Sequence, residues 1–194
     1  ALAQLRASLD GAEDGELFLE RRRAEALVLD DGRIRTASYD ASEGFGLRAV
    51  KGEVTGYAHA TELSETAIQR ASETARLAVG DGGGVLAPPP AGTNRKLYSD
   101  ADPIAGQAFP VKIDTLREID AYARELDRRV VQVTATIAAS CQEVAILRPE
   151  GTLVTDIRPM TRVTVSVIVE ENGIREQGSA SGAVLGHRGT TLCS

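Results

Sequence analysis

Histidine and cysteine, which most often carry acid–base, nucleophilic or metal chemistry, are scarce in this chain. The only histidines are His59 and His187, and the only cysteines are Cys141 and Cys193. Neither a His-Glu-x-x-His nor a Gly-x-Ser-x-Gly pattern occurs, so no zincin helix and no nucleophile elbow is indicated. His187 and Cys193 could share a metal, but two ligands are fewer than a zinc site requires. The sequence therefore predicts no catalytic residue and no metal site within the chain.

A glycine-rich motif is the next candidate for chemistry. Residues 44–49 (GFGLRA) match the spacing of a dinucleotide-binding fingerprint. That fingerprint requires a buried strand before it and a helix after it, whereas residues 40–43 (DASE) precede this motif and Gly52 interrupts any following helix. We therefore expect a strand here, with Gly44 and Gly46 marking a bulge or the close approach of another backbone or a ligand.

Composition and charge exclude several classes of protein. The 194 residues carry a net charge of −6 and only 4% aromatic residues, so the chain is poorly suited to neutralise phosphates or stack on bases. Two cysteines do not suggest a disulfide framework, and Cys141 is expected to be a buried, inert thiol. The apolar runs are shorter than the roughly 20 residues of a membrane helix. These features predict a cytoplasmic protein without a nucleic-acid or membrane partner.

Local signals predict alternating strands and helices. Asp31-Gly32 and Asn172-Gly173 each separate two strand-like runs and predict tight hairpins. Ser64 is placed to cap a helix that ends at Gly80, and a second helix is expected over residues 112–129, with Arg128 and Arg129 at its carbonyl end. Valines alternate with more polar residues at 163–169, which predicts a strand with one buried face.

The two strand-rich halves are similar in sequence. Residues 25–29 before Gly32 are matched by residues 143–147 before Gly151, at offsets of 118 and 119 residues. We interpret this as an internal duplication of a β-meander, although glycine turns between strands also produce such similarity by chance. The predicted fold is α+β, with mostly antiparallel sheets and helices packed against them. The repeat halves would be 1–80 and 111–182, with a linker at 81–110 and an atypical tail at 183–194.

The order of these motifs, over about residues 15 to 182, resembles the N-terminal domain of the TldD/PmbA family. The matching segments are residues 25–32 (EALVLDDG), 44–49 (GFGLRA), 55–58 (TGYA), 97–103 (LYSDADP), 156–167 (DIRPMTRVTVSV) and 175–178 (REQG). The family resemblance favours the TldD side over its PmbA (TldE) partner. The tail after Gly182 departs from the family pattern.

The resemblance implies a cytoplasmic, zinc-dependent peptidase that acts on unfolded peptides with a TldE/PmbA-like subunit; an older label for the family is modulator of DNA gyrase. Zinc in this family is implied to bind a His-Glu-x-x-x-His helix in a C-terminal domain. Because that motif is absent here, we expect no cofactor in this chain and little activity from it alone. The positions carried over as candidate peptide or interface contacts are Gly44, Gly46, Arg48, Gly56, Arg158 and Arg162.

Two other functions remain open at this point. The chain could be a non-catalytic peptide-binding or assembly module, which associates with itself or with a TldE/PmbA-like partner. An autonomous hydrolase is a third hypothesis, and it predicts activity in the isolated chain. Unpaired strand edges in a β-rich domain can hold an extended peptide through backbone hydrogen bonds, which suits either of the first two hypotheses.

Overall fold

A six-stranded, mostly antiparallel sheet and two helices form the part of the chain that this computed structural model describes, residues 12–80 and 99–184. The elements in chain order are β1 (Asp14–Asp30), β2 (Arg33–Lys51), β3 (Val54–Ala60), α1 (Glu65–Val79), α2 (Phe109–Leu126), β4 (Val130–Leu147), β5 (Leu153–Glu171) and β6 (Ile174–Val184). The strand order is β3-β2-β1-β4-β5-β6, so two three-stranded meanders lie side by side. The predicted combination of a mostly antiparallel sheet with packed helices is confirmed, whereas the internal duplication stays a prediction.

Both predicted hairpins form at the predicted turns. Asp31 and Gly32 have φ values of 50° and 74°, and Asn172 and Gly173 have φ values of 53° and 78°. Two consecutive residues with positive φ characterise the type I′ turn, whose twist matches that of the flanking strands. The second turn sets the register of β5 and β6, in which Glu171 lies opposite Ile174.

The contacts divide the chain into two compact units. The first unit comprises Ala1–Arg22, Ser42–Lys96 and Gln142–Asp156, and the second comprises Arg23–Ala41, Leu97–Cys141 and Ile157–Ser194. Strands β1, β2, β4 and β5 each contribute residues to both units. Each unit has its own helix and its own hydrophobic core. His187, Cys193 and most of the predicted linker and tail lie outside the described residues.

In the first unit, α1 packs on one face of the sheet. Ser64 caps this helix by accepting a hydrogen bond from the Ala67 N–H at 3.1 Å, and Gly80 ends it with a φ of 67°. Both helix ends are therefore as predicted. The buried core residues of this unit are Leu17, Phe45, Leu47, Ala49, Ala71, Ala75 and Leu147.

In the second unit, α2 covers a separate core and carries a buried ion pair. Lys112 is only 3% exposed, and its Nζ donates to Glu25 Oε1 at 2.5 Å and to the Ile104 carbonyl at 2.8 Å. Both contacts satisfy a charge that would otherwise be costly to bury. The buried apolar residues around this helix are Leu27, Leu29, Ile113, Leu116, Ala135 and Ile137.

The predicted role of Arg128 and Arg129 at the carbonyl end of α2 is wrong. The helix ends at Leu126, and Arg129 instead binds Asp127 at 2.8 Å and Glu171 at 2.9 Å. A nearby carboxylate is a stronger acceptor for a guanidinium than a free helix carbonyl. The hydrogen bonds from the Arg129 side chain and backbone lower the pKa of Asp127 from 3.8 to about 2.

This cluster gives a pH prediction. The Asp127 carboxyl should titrate with a pKa of about 2, so its ion pair persists above pH 3.8 and is lost as the pH falls toward 2. Carbon-detected NMR titration of the side-chain carboxyl measures this directly. Replacing Arg129 by glutamine should return the pKa of Asp127 toward 3.8. An unchanged pKa in that variant would contradict the assignment of its cause.

The predicted buried face of β5 is only partly present. The valines at 163, 165, 167 and 169 are half-buried, and so are residues 164, 166 and 168 between them, although Cys141 on β4 is buried as expected, at 2% exposure. Val163 packs against the core of the second unit, and the remaining three belong to neither of the two described cores. One face of the β5–β6 hairpin is therefore apolar without full cover from the described residues.

None of the helices in the described ranges has both the length and the apolar character needed to cross a membrane.

Candidate functional site

The first unit contains an open groove of about 570 Å³ on its sheet. Strands β1, β2 and β3 all contribute to it, so the groove depends on the pairing of three chain segments. Its lining residues are Glu16, Phe18, Glu20, Ser42, Glu43, Gly44, Phe45, Gly46, Arg48, Tyr57, His59 and Ala60. We call this surface the first-unit groove.

Strand alternation explains the composition of this groove. Along β1, Leu17 and Leu19 contribute to the core beneath α1, whereas Glu16, Phe18 and Glu20 line the groove. Successive side chains of a strand point to opposite faces of the sheet. The groove therefore lies on the face opposite α1, where carboxylates and aromatic rings remain accessible.

Two glycines form the floor of the groove. A Cβ atom at Gly44 would lie 2.8 Å from the Ala60 carbonyl oxygen, and one at Gly46 would lie 3.0 Å from the Tyr57 hydroxyl. Neither glycine has a positive φ, so close approach rather than backbone conformation explains both residues. This confirms the predicted close approach of another backbone at Gly44, whereas at Gly46 the neighbouring group is the Tyr57 side chain, whose ring leans across the floor. Residues 44–49 lie within β2, so the strand predicted at this motif is confirmed.

Ion pairs hold most of the charged residues at the groove. Arg48 donates to Asp14 at 3.3 Å and lies 4.0 Å from Glu16, while Arg148 binds the other oxygen of Asp14 at 3.0 Å. Glu43 accepts two hydrogen bonds from Arg21, at 3.1 and 3.2 Å. Glu20 forms no hydrogen bond or ion pair with any residue in the described ranges. One carboxylate of the groove is thus uncommitted.

The six residues carried over from the family do not form a single site. Gly56 is buried beneath α1, where a Cβ would lie 2.4 Å from the Ala75 carbonyl oxygen. The other five are exposed or line a cavity, and their roles in binding stay predictions. Gly44, Gly46 and Arg48 line the first-unit groove, Gly56 packs under α1, and Arg158 and Arg162 are exposed on β5 in the second unit.

The second unit has its own cavity of about 390 Å³, and Asp102 organises its rim. Asp102 Oδ1 accepts hydrogen bonds from the backbone N–H groups of Ile104 at 2.9 Å and Ala105 at 3.2 Å. Its Oδ2 accepts a hydrogen bond from the Arg23 guanidinium at 2.8 Å. Burial acts to raise the pKa of Asp102, but these hydrogen bonds outweigh it and lower the pKa below 3.8. Lys112, Pro159 and Met160 also line this cavity.

Replacing Asp102 by alanine should lower the free energy of unfolding by about 1–3 kcal/mol at neutral pH, because two backbone donors and a guanidinium lose their acceptor. Because the folded-state pKa of Asp102 is lowered, its contribution is present above pH 3.8 and declines as the pH falls below that value. Urea unfolding at several pH values tests both statements. Asp102→Asn, which retains an acceptor for the backbone groups, should cost less. Equal losses for both variants would contradict this account.

Sequence reasoning missed several residues of both cavities. Phe18 and Glu20 were detectable in principle from the alternation along residues 16–20 (ELFLE). In a strand, the two leucines lie on one face, and the two glutamates and Phe18 lie on the other. The pairing of Asp14 with Arg148 had no sequence signal, since 134 residues separate the partners.

The described residues do not provide a zinc site. They contain no group of three or more histidine, cysteine, aspartate or glutamate side chains arranged to hold a metal ion. A zinc site of a peptidase needs three protein ligands around an open position. The donor set in the described ranges therefore does not fit zinc.

Family models match most of the chain. A model described as PmbA/TldA metallopeptidase domain 1 matches residues 15–79, and one described as PmbA/TldA metallopeptidase central domain matches residues 102–188. A metalloprotease TldD homolog from Haemophilus influenzae is 35% identical over 167 residues, which cover 84% of this chain and 35% of that protein. A homolog of the same name from Buchnera aphidicola is 34% identical over 169 residues, which are 87% of this chain and 35% of the relative.

Solved structures share the fold. A protein from Thermotoga maritima described as a modulator of DNA gyrase aligns with a TM-score of 0.73 and 15% identity, covering 89% of this chain and 40% of that one. TldE from Thermococcus kodakarensis aligns with a TM-score of 0.71 and 19% identity, covering 94% of this chain and 43% of that one. The chain thus spans about a third of the length of its curated relatives. From these matches, the chain belongs to the PmbA/TldD metallopeptidase family and corresponds to its N-terminal part, the first and central domains.

Proposed function

We propose that this chain is the N-terminal part of a TldD-type, zinc-dependent peptidase that acts on unfolded peptides in the cytoplasm. In this proposal, the chain contributes to assembly with a TldE/PmbA-like subunit and to the enclosure that admits extended peptide. The catalytic zinc is bound by residues outside this chain. We also propose that the two meanders, β1–β3 and β4–β6, arose by duplication, because they follow each other along the chain and their strands have similar lengths.

One observation carries the proposal. Relatives named metalloproteases are 34–35% identical to this chain, yet the match covers only 35% of their length. The described residues contain no group of three metal-binding side chains, so the chemistry is expected from the remaining part of such a protein. The open sheet face of the first unit and the half-covered face of β5 supply surfaces suited to a partner or a peptide.

A chimera tests the proposal. The 194-residue chain would replace the matching 167-residue segment of the Haemophilus influenzae relative, and cleavage of an unfolded polypeptide would be measured with and without a TldE-like subunit. We expect cleavage by the chimera with its partner, no cleavage by the isolated chain, and no cleavage by the relative lacking the segment.

The other outcomes distinguish the alternatives. Cleavage by the isolated chain would show an autonomous hydrolase and contradict the proposal. Full activity of the relative without the segment would also contradict it, and would favour a non-catalytic assembly module. Size-exclusion chromatography with light scattering of the chain and the partner would show in the same experiment whether they associate.

A further inference from the structure

We propose that the first-unit groove binds an extended peptide segment through a lysine or arginine side chain of that segment. This inference rests on the proposed action on unfolded peptides and names the part of the chain and the peptide chemistry involved. It concerns residues of β1, β2 and β3 only, all of which belong to the first unit.

Charge at the groove favours a cationic side chain. The lining residues include Glu16, Glu20 and Glu43 against one guanidinium, that of Arg48. Arg48 is neutralised by Asp14 and Glu16, and Glu43 is bound by Arg21. This leaves Glu20 as the carboxylate with no hydrogen-bond or ion-pair partner among the described residues. A lysine or arginine would supply the donor that this carboxylate lacks.

Aromatic rings provide a second contact for the same cation. Tyr57 is 63% exposed, and its ring centroid lies 5.7 Å from that of His59, so the two rings lie next to each other in the groove. Phe18 lines the groove from β1. Aromatic faces attract ammonium and guanidinium groups within about 6 Å of the ring centroid. The exposed Tyr57 ring can therefore contact a cationic side chain that occupies the groove.

The groove has room for a short peptide. Its volume of about 570 Å³ accommodates several residues of an extended chain. The space directly above Gly44 and Gly46 is taken by the Ala60 carbonyl oxygen and the Tyr57 hydroxyl. A peptide in the groove would therefore contact the Tyr57 ring rather than the glycine backbone, with one cationic side chain directed toward Glu20.

Fluorescence anisotropy of the 194-residue chain with short labelled peptides tests the inference. The probes are an alternating alanine–lysine peptide, an alternating alanine–glutamine peptide and an alternating alanine–glutamate peptide. We expect binding of the lysine peptide, weaker binding of the glutamine peptide and none of the glutamate peptide. Binding of the lysine peptide should fall at about 1 M salt, where the Debye length is about 3 Å.

Matched variants locate the binding. Glu20→Gln and Tyr57→Ala should each weaken the binding of the lysine peptide by about fivefold in Kd. Their controls are Glu118→Gln and Tyr122→Ala on α2, which change the same residue types at exposed positions that do not line the groove. Tyr122 is 63% exposed, as Tyr57 is, so the two tyrosine variants are closely matched. Circular dichroism and thermal unfolding of all four variants would confirm that the fold is retained.

Several outcomes would overturn the inference. These are equal binding of all three peptides, no binding of any of them, or equal losses in the groove variants and the α2 controls. The proposed function has a separate readout, since cleavage by the chimera does not require measurable binding to the isolated chain. Cleavage by the chimera together with absent peptide binding would reject the groove as the binding site and leave the proposed function standing.

Discussion

Replacing Lys112 by methionine should lower the free energy of unfolding by about 3–5 kcal/mol, because Glu25 would then keep a buried charge without a partner. Lys112 is 3% exposed, and the Glu25 side chain is 14% exposed. The Ile104 carbonyl would lose its donor as well. Urea unfolding followed by circular dichroism measures the loss.

A double variant separates the effect of the unpaired carboxylate from the effect of lost packing. Removing both charges with Lys112→Met and Glu25→Met should restore much of the stability, since apolar replacements for a buried ion pair are often neutral or stabilising. A double variant as unstable as Lys112→Met alone would show that packing of the lysine stem, rather than the unpaired carboxylate, causes the loss. A loss below about 1 kcal/mol in the single variant would contradict the burial of this pair.

Replacing Gly56 by alanine should also destabilise the chain, by about 1–3 kcal/mol, through overpacking between β3 and α1. The added Cβ would lie 2.4 Å from the Ala75 carbonyl oxygen and 3.1 Å from the Ala75 Cα. Both are backbone atoms, so no side-chain rotation can relieve the contact. The helix would have to move away from the sheet, and thermal unfolding should report the cost.

Gly178→Ala is the matched control for this variant. Gly178 also lies within a strand, but a Cβ there meets no atom within 4 Å, and its φ is not positive. This substitution should be neutral, or stabilise the chain by up to about 1 kcal/mol, because alanine restricts the unfolded chain. Equal effects of the two substitutions would contradict the close approach of α1 to β3.

Features set by local conformation were predictable from the sequence. The two hairpins follow from residue pairs that tolerate positive φ, such as Asn172-Gly173, and α1 follows from the cap at Ser64 and the stop at Gly80. The start of α2 was less accurate, since Phe109 begins the helix without a side-chain cap. Local chemistry therefore specified the turns and helix ends wherever a capping or positive-φ residue was present.

The candidate site was predictable only in part. Gly44, Gly46 and Arg48 came from the family resemblance, and because they alternate along β2 they line one groove, whereas their role in binding stays a prediction. The carboxylates and rings that complete the groove come from β1 and β3, and their placement depends on strand register. The pairing of Glu25 with Lys112 spans 87 residues, so no local pattern could reveal it. Tertiary contacts of this kind require the folded chain.

The most direct test of the central claim is the zinc content and peptidase activity of the purified 194-residue chain. We propose that the catalytic metal binds outside these residues, so plasma mass spectrometry after exposure to zinc and dialysis should find only substoichiometric metal. The chain should also leave unfolded peptide intact. One equivalent of bound zinc, lost on substitution of His187 and Cys193 and accompanied by peptide cleavage, would contradict the account.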